Sequence, residues 1–151
     1  MSSAPPPPSV LLLTHRLQVR FRDCDPLGHV NNAVYLTYLE QARFTLWKKQ
    51  LDFMARSAAD TGQRGLGFIL ARAECDFRAQ ARYGDWLDVK LSLGDFGRSS
   101  FNYTYEIVNA ESGALVAAAK TVLVWFDYDA QKPAPLDDET KAKLAVPVVA
   151  G

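Results

Sequence analysis

The sequence predicts an α+β fold in which one curled antiparallel sheet wraps around a single long helix. Three observations predict it. Five runs alternate apolar and polar residues with period two, the pattern of strands that bury one face. Only one stretch, from about Asn32 to Lys49, carries a long apolar face at helical spacing. Short polar links rich in Gly, Asn and Asp join the later runs, and links that short connect antiparallel neighbours.

The first strand is read from about Thr14 to Asp23, where Leu17, Val19 and Phe21 alternate with Arg16, Gln18, Arg20 and Arg22. The second places Ile69, Ala71, Ala73, Cys75 and Phe77 on one face, and the third Leu87, Val89, Leu91 and Leu93. The fourth does the same with Phe101, Tyr103, Tyr105 and Ile107. The last run, Leu115 to Phe126, is apolar enough to expect cover on both faces. Turn residues at Tyr83-Gly84-Asp85, Gly94 to Gly97 and Asn109 to Gly113 separate the later runs.

On the helix, Tyr35, Leu36, Leu39, Ala42, Leu46 and Trp47 share one arc, with Thr37, Gln41, Thr45, Lys48 and Lys49 opposite. Asn31 or Asn32 supplies the N-cap. Arg43 falls inside the apolar arc, so a pair with Glu40 one turn earlier is the expected neutraliser. Shorter helices are expected at Leu51 to Ala59 and Leu136 to Leu144. A sheet that buries one face and a helix that buries one stripe satisfy each other when the sheet curls round the helix. Such a sheet keeps a free edge, which predicts a homodimer or homotetramer with a continuous sheet.

Residues 1–12, with four consecutive prolines at Pro5 to Pro8, are expected to form a disordered tail ahead of a domain at 13–151. The 48% hydrophobic and 23% charged content is that of a globular protein. Seventeen basic side chains balance 17 acidic ones, which gives no electrostatic reason to expect nucleic acid or an anionic membrane as partner. Two cysteines make no disulfide framework, no metal-ligand cluster is evident, and a cytoplasmic location is expected. The apolar run Val10 to Leu13 is too short to span a bilayer and lacks the basic flank of a secretory signal.

The chemistry is expected in Arg22-Asp23-Cys24-Asp25-Pro26-Leu27-Gly28-His29-Val30-Asn31-Asn32, between the first strand and the helix. A carboxylate just upstream of a helix start lies near unpaired N–H groups and the positive end of the helix dipole. Those are the parts that hydrolyse a thioester: donors for an oxyanion and a carboxylate to attack or to activate water. The competing reading makes the same Asp and Asn residues turn and cap formers.

Phe21 to Arg43, FRDCDPLGHVNNAVYLTYLEQAR, resembles the signature of the 4-hydroxybenzoyl-CoA thioesterase family. Ala81-Arg82-Tyr83-Gly84-Asp85 and Lys132-Pro133-Ala134-Pro135-Leu136 are similar to two further family segments. The resemblance covers about residues 14 to 145 and implies the hotdog fold and an acyl-CoA thioesterase needing no metal or redox cofactor, with CoA present only as part of the substrate. By position it implies Asp25 as the catalytic carboxylate and the backbone N–H of Asn32 as the donor to the thioester carbonyl. Arg98 and Ser99 fall where relatives hold CoA phosphates, although this chain has Gly97-Arg98-Ser99-Ser100 in place of a basic run. His29 and Tyr35 are expected at the substrate, and Gly-His-Val-Asn-Asn resembles fatty-acyl members of the family more than aromatic-acyl ones. Asp23 is read as structural and Glu40 as the partner of Arg43. The alternatives are an acyl-carrier-protein thioesterase, a catalytically silent acyl-binding module, and a dehydratase built on His29.

Overall fold

The period-two runs all join one sheet in a computed structural model that describes residues 9–51 and 66–148. Its strands are β1 (Val10–Gln18), β2 (Leu66–Phe77), β3 (Trp86–Phe96), β4 (Ser100–Asn109), β5 (Leu115–Asp127) and a short β6 (Lys132–Pro133). All pairings are antiparallel, in the order β1-β3-β4-β5-β2, with β6 on β5. The helix α1 (Asn32–Leu51) lies in the concave face, and α2 (Asp138–Leu144) packs near its C-terminal end, where the Gln50 amide donates to the carbonyls of Leu144 and Val146. The α+β wrapped-sheet expectation therefore holds.

The core is the lining of that concave face. Leu87, Val89 and Leu91 from β3, Phe101, Tyr103, Tyr105 and Ile107 from β4, and Leu123 from β5 meet Leu39, Ala42 and Leu46 of α1. The alternation is what makes this work, since every second residue of β3 and β4 is buried and the residues between face outward. Two polar pairs sit inside: the Trp47 indole donates to the Tyr103 hydroxyl at 2.8 Å, and the Tyr105 and Thr121 hydroxyls are 2.6 Å apart. Burial pushes the Tyr103 and Tyr105 phenols above their usual range, against the downward pull of their hydrogen bonds with Trp47 and Thr121.

Several expectations change in detail. The first strand begins at Val10, not near Thr14, and pairs with β3 from Val10↔Leu93 to Gln18↔Trp86. Leu12 and Leu13 are buried, so positions 10–12 belong to the sheet, while Pro5 to Pro8 lie outside the described residues. The strand stops at Gln18; Phe21 opens a 3-10 turn (Phe21–Asp23) and is 79% exposed against Tyr83. Leu36 turns out to be exposed, and Tyr38 takes its place in the apolar arc. Arg43 is 5% exposed, but its guanidinium donates to the Tyr105 hydroxyl at 3.3 Å and forms no ion pair with the exposed Glu40. Pairing with Glu40 would have pulled Arg43 out of the core; the tyrosine lets it stay. β5 is not covered on both faces: Ala117, Thr121 and Leu123 are buried on the inner side, while Ala118, Lys120, Val122 and Val124 on the other keep solvent contact. The short helix expected at Leu51 to Ala59 lies beyond Leu51 outside the described residues.

One experiment follows from the new start of β1. Removing the chain through Leu13 takes two buried leucines out of the core, each worth about 1.5–3 kcal/mol on burial. Urea unfolding is expected to show a loss of at least about 3 kcal/mol, and a midpoint equal to the full-length chain would place the start of the domain after residue 13.

Candidate active site

After β1 the chain folds back on itself before entering α1. Val19 N–H donates to the Asp85 carbonyl as the strand leaves the sheet. Cys24 and Val30 then pair across a small antiparallel bridge, the Asp25 N–H donates to the His29 carbonyl, and Gly28 N–H to the Asp25 carbonyl. Gly28 closes this turn at φ +87°, a left-handed conformation that side chains rarely adopt. A second bridge joins His29 to Arg82, and Val30 N–H donates to Ala81, which sets the hairpin against the link between β2 and β3.

Asp23 pins this hairpin from below. It is 2% exposed, and its carboxylate accepts the Arg20 N–H at 2.9 Å, the Arg20 guanidinium at 3.0 Å and the Tyr38 hydroxyl at 2.8 Å. Burial alone would push its carboxyl up, but the bonds from Arg20 and Tyr38 outweigh that and hold it below the usual carboxylate range. Burial, reinforced by the Asp23 charge, pushes the Tyr38 phenol far up, so it remains a donor. Asp23 is thus committed to structure, as the sequence reading held.

Asp25 is differently placed. One carboxylate oxygen accepts Leu27 N–H at 2.9 Å in the local turn, and the other lies 3.6 Å from His29 Nδ1, too long for a hydrogen bond. Both side chains keep about a fifth of their surface exposed, 20% for Asp25 and 22% for His29. The turn reading and the catalytic reading of Asp25 are therefore compatible, because only one oxygen is occupied. Asn31, not Asn32, is the cap: its side-chain oxygen takes Ala33 N–H at 2.9 Å, and its carbonyl takes Val34 N–H. The N–H of Asn32, the first helical residue, has no acceptor within the helix.

His29, Asn32 and Tyr35 line one side of a cleft of about 250 Å³, whose other side is Phe77 through Gln80 at the end of β2. The Tyr35 and Phe77 rings are 5.3 Å apart, and Phe77 is still 48% exposed. Sequence reading took Phe77 as strand core and missed Arg78, Ala79 and Gln80, because nothing local indicates that the end of β2 faces the helix start. Cys24 and His29 share the hairpin, but the Cys24 thiol is directed to the Arg20 carbonyl at 3.8 Å and not to His29, so the two do not form a nucleophile pair. Among the described residues no three His, Cys, Asp or Glu side chains are grouped as metal ligands.

Arg98 and Ser99 do not join this cleft. They lie between β3 and β4, at the end of the sheet where Phe96 pairs with Phe101, whereas Asp25 and Asn32 lie at the end marked by Phe77, Ala81 and Trp86. There they line a second pocket of about 370 Å³ with Lys132 and the Pro133-Ala134-Pro135 segment. Lys132 was read only as part of a closing motif; its pairing with Asp127 brings its cation to Arg98. The backbone here is fixed, with Trp125 N–H on the Ser99 carbonyl, Ala134 N–H on Trp125 and Leu136 N–H on Arg98.

The structural role of Asp23 has a measurable pH signature. Asp23→Asn keeps the size but loses charge-assisted bonds, with an expected cost of about 1.5–3 kcal/mol at neutral pH. A depressed folded pKa means the stabilisation is present above the unfolded value, near 3.9, and lost as pH falls through the folded one. The gap between wild type and Asp23→Asn should therefore be full at pH 7 and shrink as acid is added below about pH 4. A gap that is constant down to pH 2 would contradict the assignment.

The match to the thioesterase-like superfamily covers residues 19–144. The long-chain acyl-CoA thioesterase FadM of Escherichia coli is 28% identical over 129 residues, covering 85% of this chain and 94% of its own. A 1,4-dihydroxy-2-naphthoyl-CoA hydrolase of Synechocystis is 32% identical over 123 residues, covering 82% of this chain and 87% of its own. Among solved structures, a thioesterase from Thermus thermophilus complexed with coenzyme A and Zn superposes with a TM-score of 0.71 at 34% identity, covering 87% of this chain and 90% of that one. With its wrapped sheet, its loop before α1 and a match over most of its length, the chain belongs to the thioesterase-like superfamily, in the hotdog fold.

Proposed function

We propose that the protein hydrolyses an acyl-CoA thioester to a free acid and CoA, and that Asp25 carries the reaction. The observation behind this is the hairpin, which keeps one Asp25 oxygen free beside His29 next to the cleft that the helix start lines. In this reading the thioester carbonyl oxygen points at the Asn32 N–H, where the helix dipole and an unpaired donor favour the negative charge that develops. Asp25 attacks the carbonyl carbon or takes a proton from the attacking water; one water is consumed, its hydroxyl ending on the acyl carbon and its proton balancing the departing CoA thiol. His29 orients Asp25 and the substrate, and the Tyr35–Phe77 aromatic wall receives the first carbons of the acyl chain.

The Gly-His-Val-Asn-Asn segment supports a fatty-acyl substrate within the 4-hydroxybenzoyl-CoA thioesterase family. Two cations at one pocket, Arg98 and Lys132 with Ser99 beside them, fit the several phosphates of CoA better than the single phosphodiester of a carrier protein. The open edge strand β2 supports assembly at least to a dimer.

The direct test is thiol release from short, long, branched and aromatic acyl-CoAs by wild type and Asp25→Asn. An Asn at 25 can still accept from Leu27 N–H, so the hairpin is kept. Turnover should fall by at least ~100-fold, the low end for one general base or nucleophile, with KM little changed. Full activity in Asp25→Asn would return the residue to a turn-forming role.

A further inference from the structure

Tyr38 does not line the cleft, yet its hydroxyl reaches the segment that carries the chemistry. It is 2% exposed and donates to the Asp23 carboxylate at 2.8 Å. In α1 it follows Asn32 by six residues, about 9 Å along the axis at 1.5 Å per residue. The edge of the Tyr35 ring, 5.9 Å away between centroids, holds its own ring in place. Burial, with the bond to Asp23, keeps the phenol protonated, so the donor is always on the helix and the acceptor always on the hairpin.

Asp23 is in turn bonded through both its side chain and its backbone. While the carboxylate takes the Tyr38 hydroxyl, its carbonyl accepts the Asn31 N–H at 2.9 Å. Asn31 caps α1 and directly precedes Asn32, the residue whose N–H faces the cleft end. In the other direction Asp23 is followed by Cys24 and Asp25, and the Asp25 N–H is fixed on the His29 carbonyl at 3.0 Å. One residue therefore stands next to both parts that have to meet across a carbonyl, the carboxylate and the backbone donor. The bonds to Ala81 and Arg82 locate the hairpin on the sheet. The Tyr38 hydroxyl locates it on the helix.

Resting on the acyl-CoA reading above, we infer that Tyr38 is a positioning residue for the hydrolysis. Acting through Asp23, its hydroxyl sets where the free Asp25 oxygen stands relative to the Asn32 N–H. Reacting atoms need to lie within about 3–3.5 Å of each other, and a misplacement of about 1 Å costs ~100-fold in rate. Without the hydroxyl, Asp23 keeps its bonds to the Arg20 N–H and guanidinium, so the hairpin persists. What is lost is its register against α1. That register counts at the barrier and contributes little to holding CoA, so the loss falls on turnover.

Tyr38→Phe removes the hydroxyl and keeps the ring. In thiol-release assays well below the unfolding midpoint, kcat should fall roughly 10- to 100-fold with KM within about two-fold of wild type. Tyr103→Phe is the matched control, because it deletes a buried hydroxyl that accepts from Trp47, further along α1. It should leave kcat within about two-fold. The decisive arm adds Tyr38→Phe to Asp25→Asn. A residue that acts through Asp25 should cost less than about two-fold more once that carboxylate is gone. An equal loss in both backgrounds would make Tyr38 a support of the fold alone and overturn the inference. So would an unchanged kcat in Tyr38→Phe, or a fall as large in Tyr103→Phe. Should Tyr38→Phe fail to fold, Asp23→Asn carries the same test, with the same fall in kcat expected alone and none beyond Asp25→Asn. Full turnover in Asp25→Asn, or a wild type that releases thiol from no acyl-CoA, would instead overturn the proposed function, and this inference with it.

Discussion

The buried carboxylate of Asp23, gripped by Tyr38 from α1 and by Arg20 ahead of the 3-10 turn, is the joint on which the hairpin depends. It ties the strand exit, the turn and the helix to one point. Without it the hairpin that carries Asp25 and His29 would be held only by its own backbone bridge and by its pairing with Ala81 and Arg82. The two aspartates, separated by Cys24, differ in environment. Asp23 is dry and saturated with donors, which holds its proton off and its position fixed. Asp25 is partly wet and has one oxygen uncommitted. A carboxylate surrounded by donors makes a good anchor and a poor base.

The second constraint is that one helix has to cover a sheet of five long strands. α1 does this for β1, β3, β4 and the inner side of β5, and leaves most of β2 bare. The uncovered strand is also the one whose end forms the far wall of the cleft. Economy of cover and openness of the site are therefore the same fact, seen once as packing and once as chemistry. A second copy on that edge would bury the apolar inner residues of β2.

Much of this was legible in the sequence because period-two runs and one helical stripe admit few arrangements. β3 and β4 follow their alternation residue by residue, and α1 starts where expected. The errors have particular causes. The apolar run Val10 to Leu13 carries no alternation, so the true start of β1 was hidden, while Val19 and Phe21 continued the alternation past the point where the strand ends. Arg43 looked as if it needed a carboxylate, whereas the hydroxyl of Tyr105 on β4 answers it, a long-range contact that helix spacing cannot reveal. Of the expected site residues, His29, Asn32 and Tyr35 line one cleft, and Asp25 stands behind them with one oxygen 3.6 Å from His29 Nδ1. Arg98 and Ser99 were expected by family position alone, and position in the sequence does not reveal that they line a separate pocket at the other end of the sheet. Lys132 gave no signal of its own, since only the β5–β6 pairing brings it to Arg98.

The central claim is that the hairpin pinned by Asp23 presents Asp25 to a thioester held at the first N–H of α1. A crystal structure with a non-hydrolysable acyl-CoA bound measures it most directly. The account predicts the sulfur end and its carbonyl against the Asn32 N–H, with the free Asp25 oxygen facing the carbonyl carbon or the attacking water. A thioester held away from Asn32 and Asp25 would contradict it.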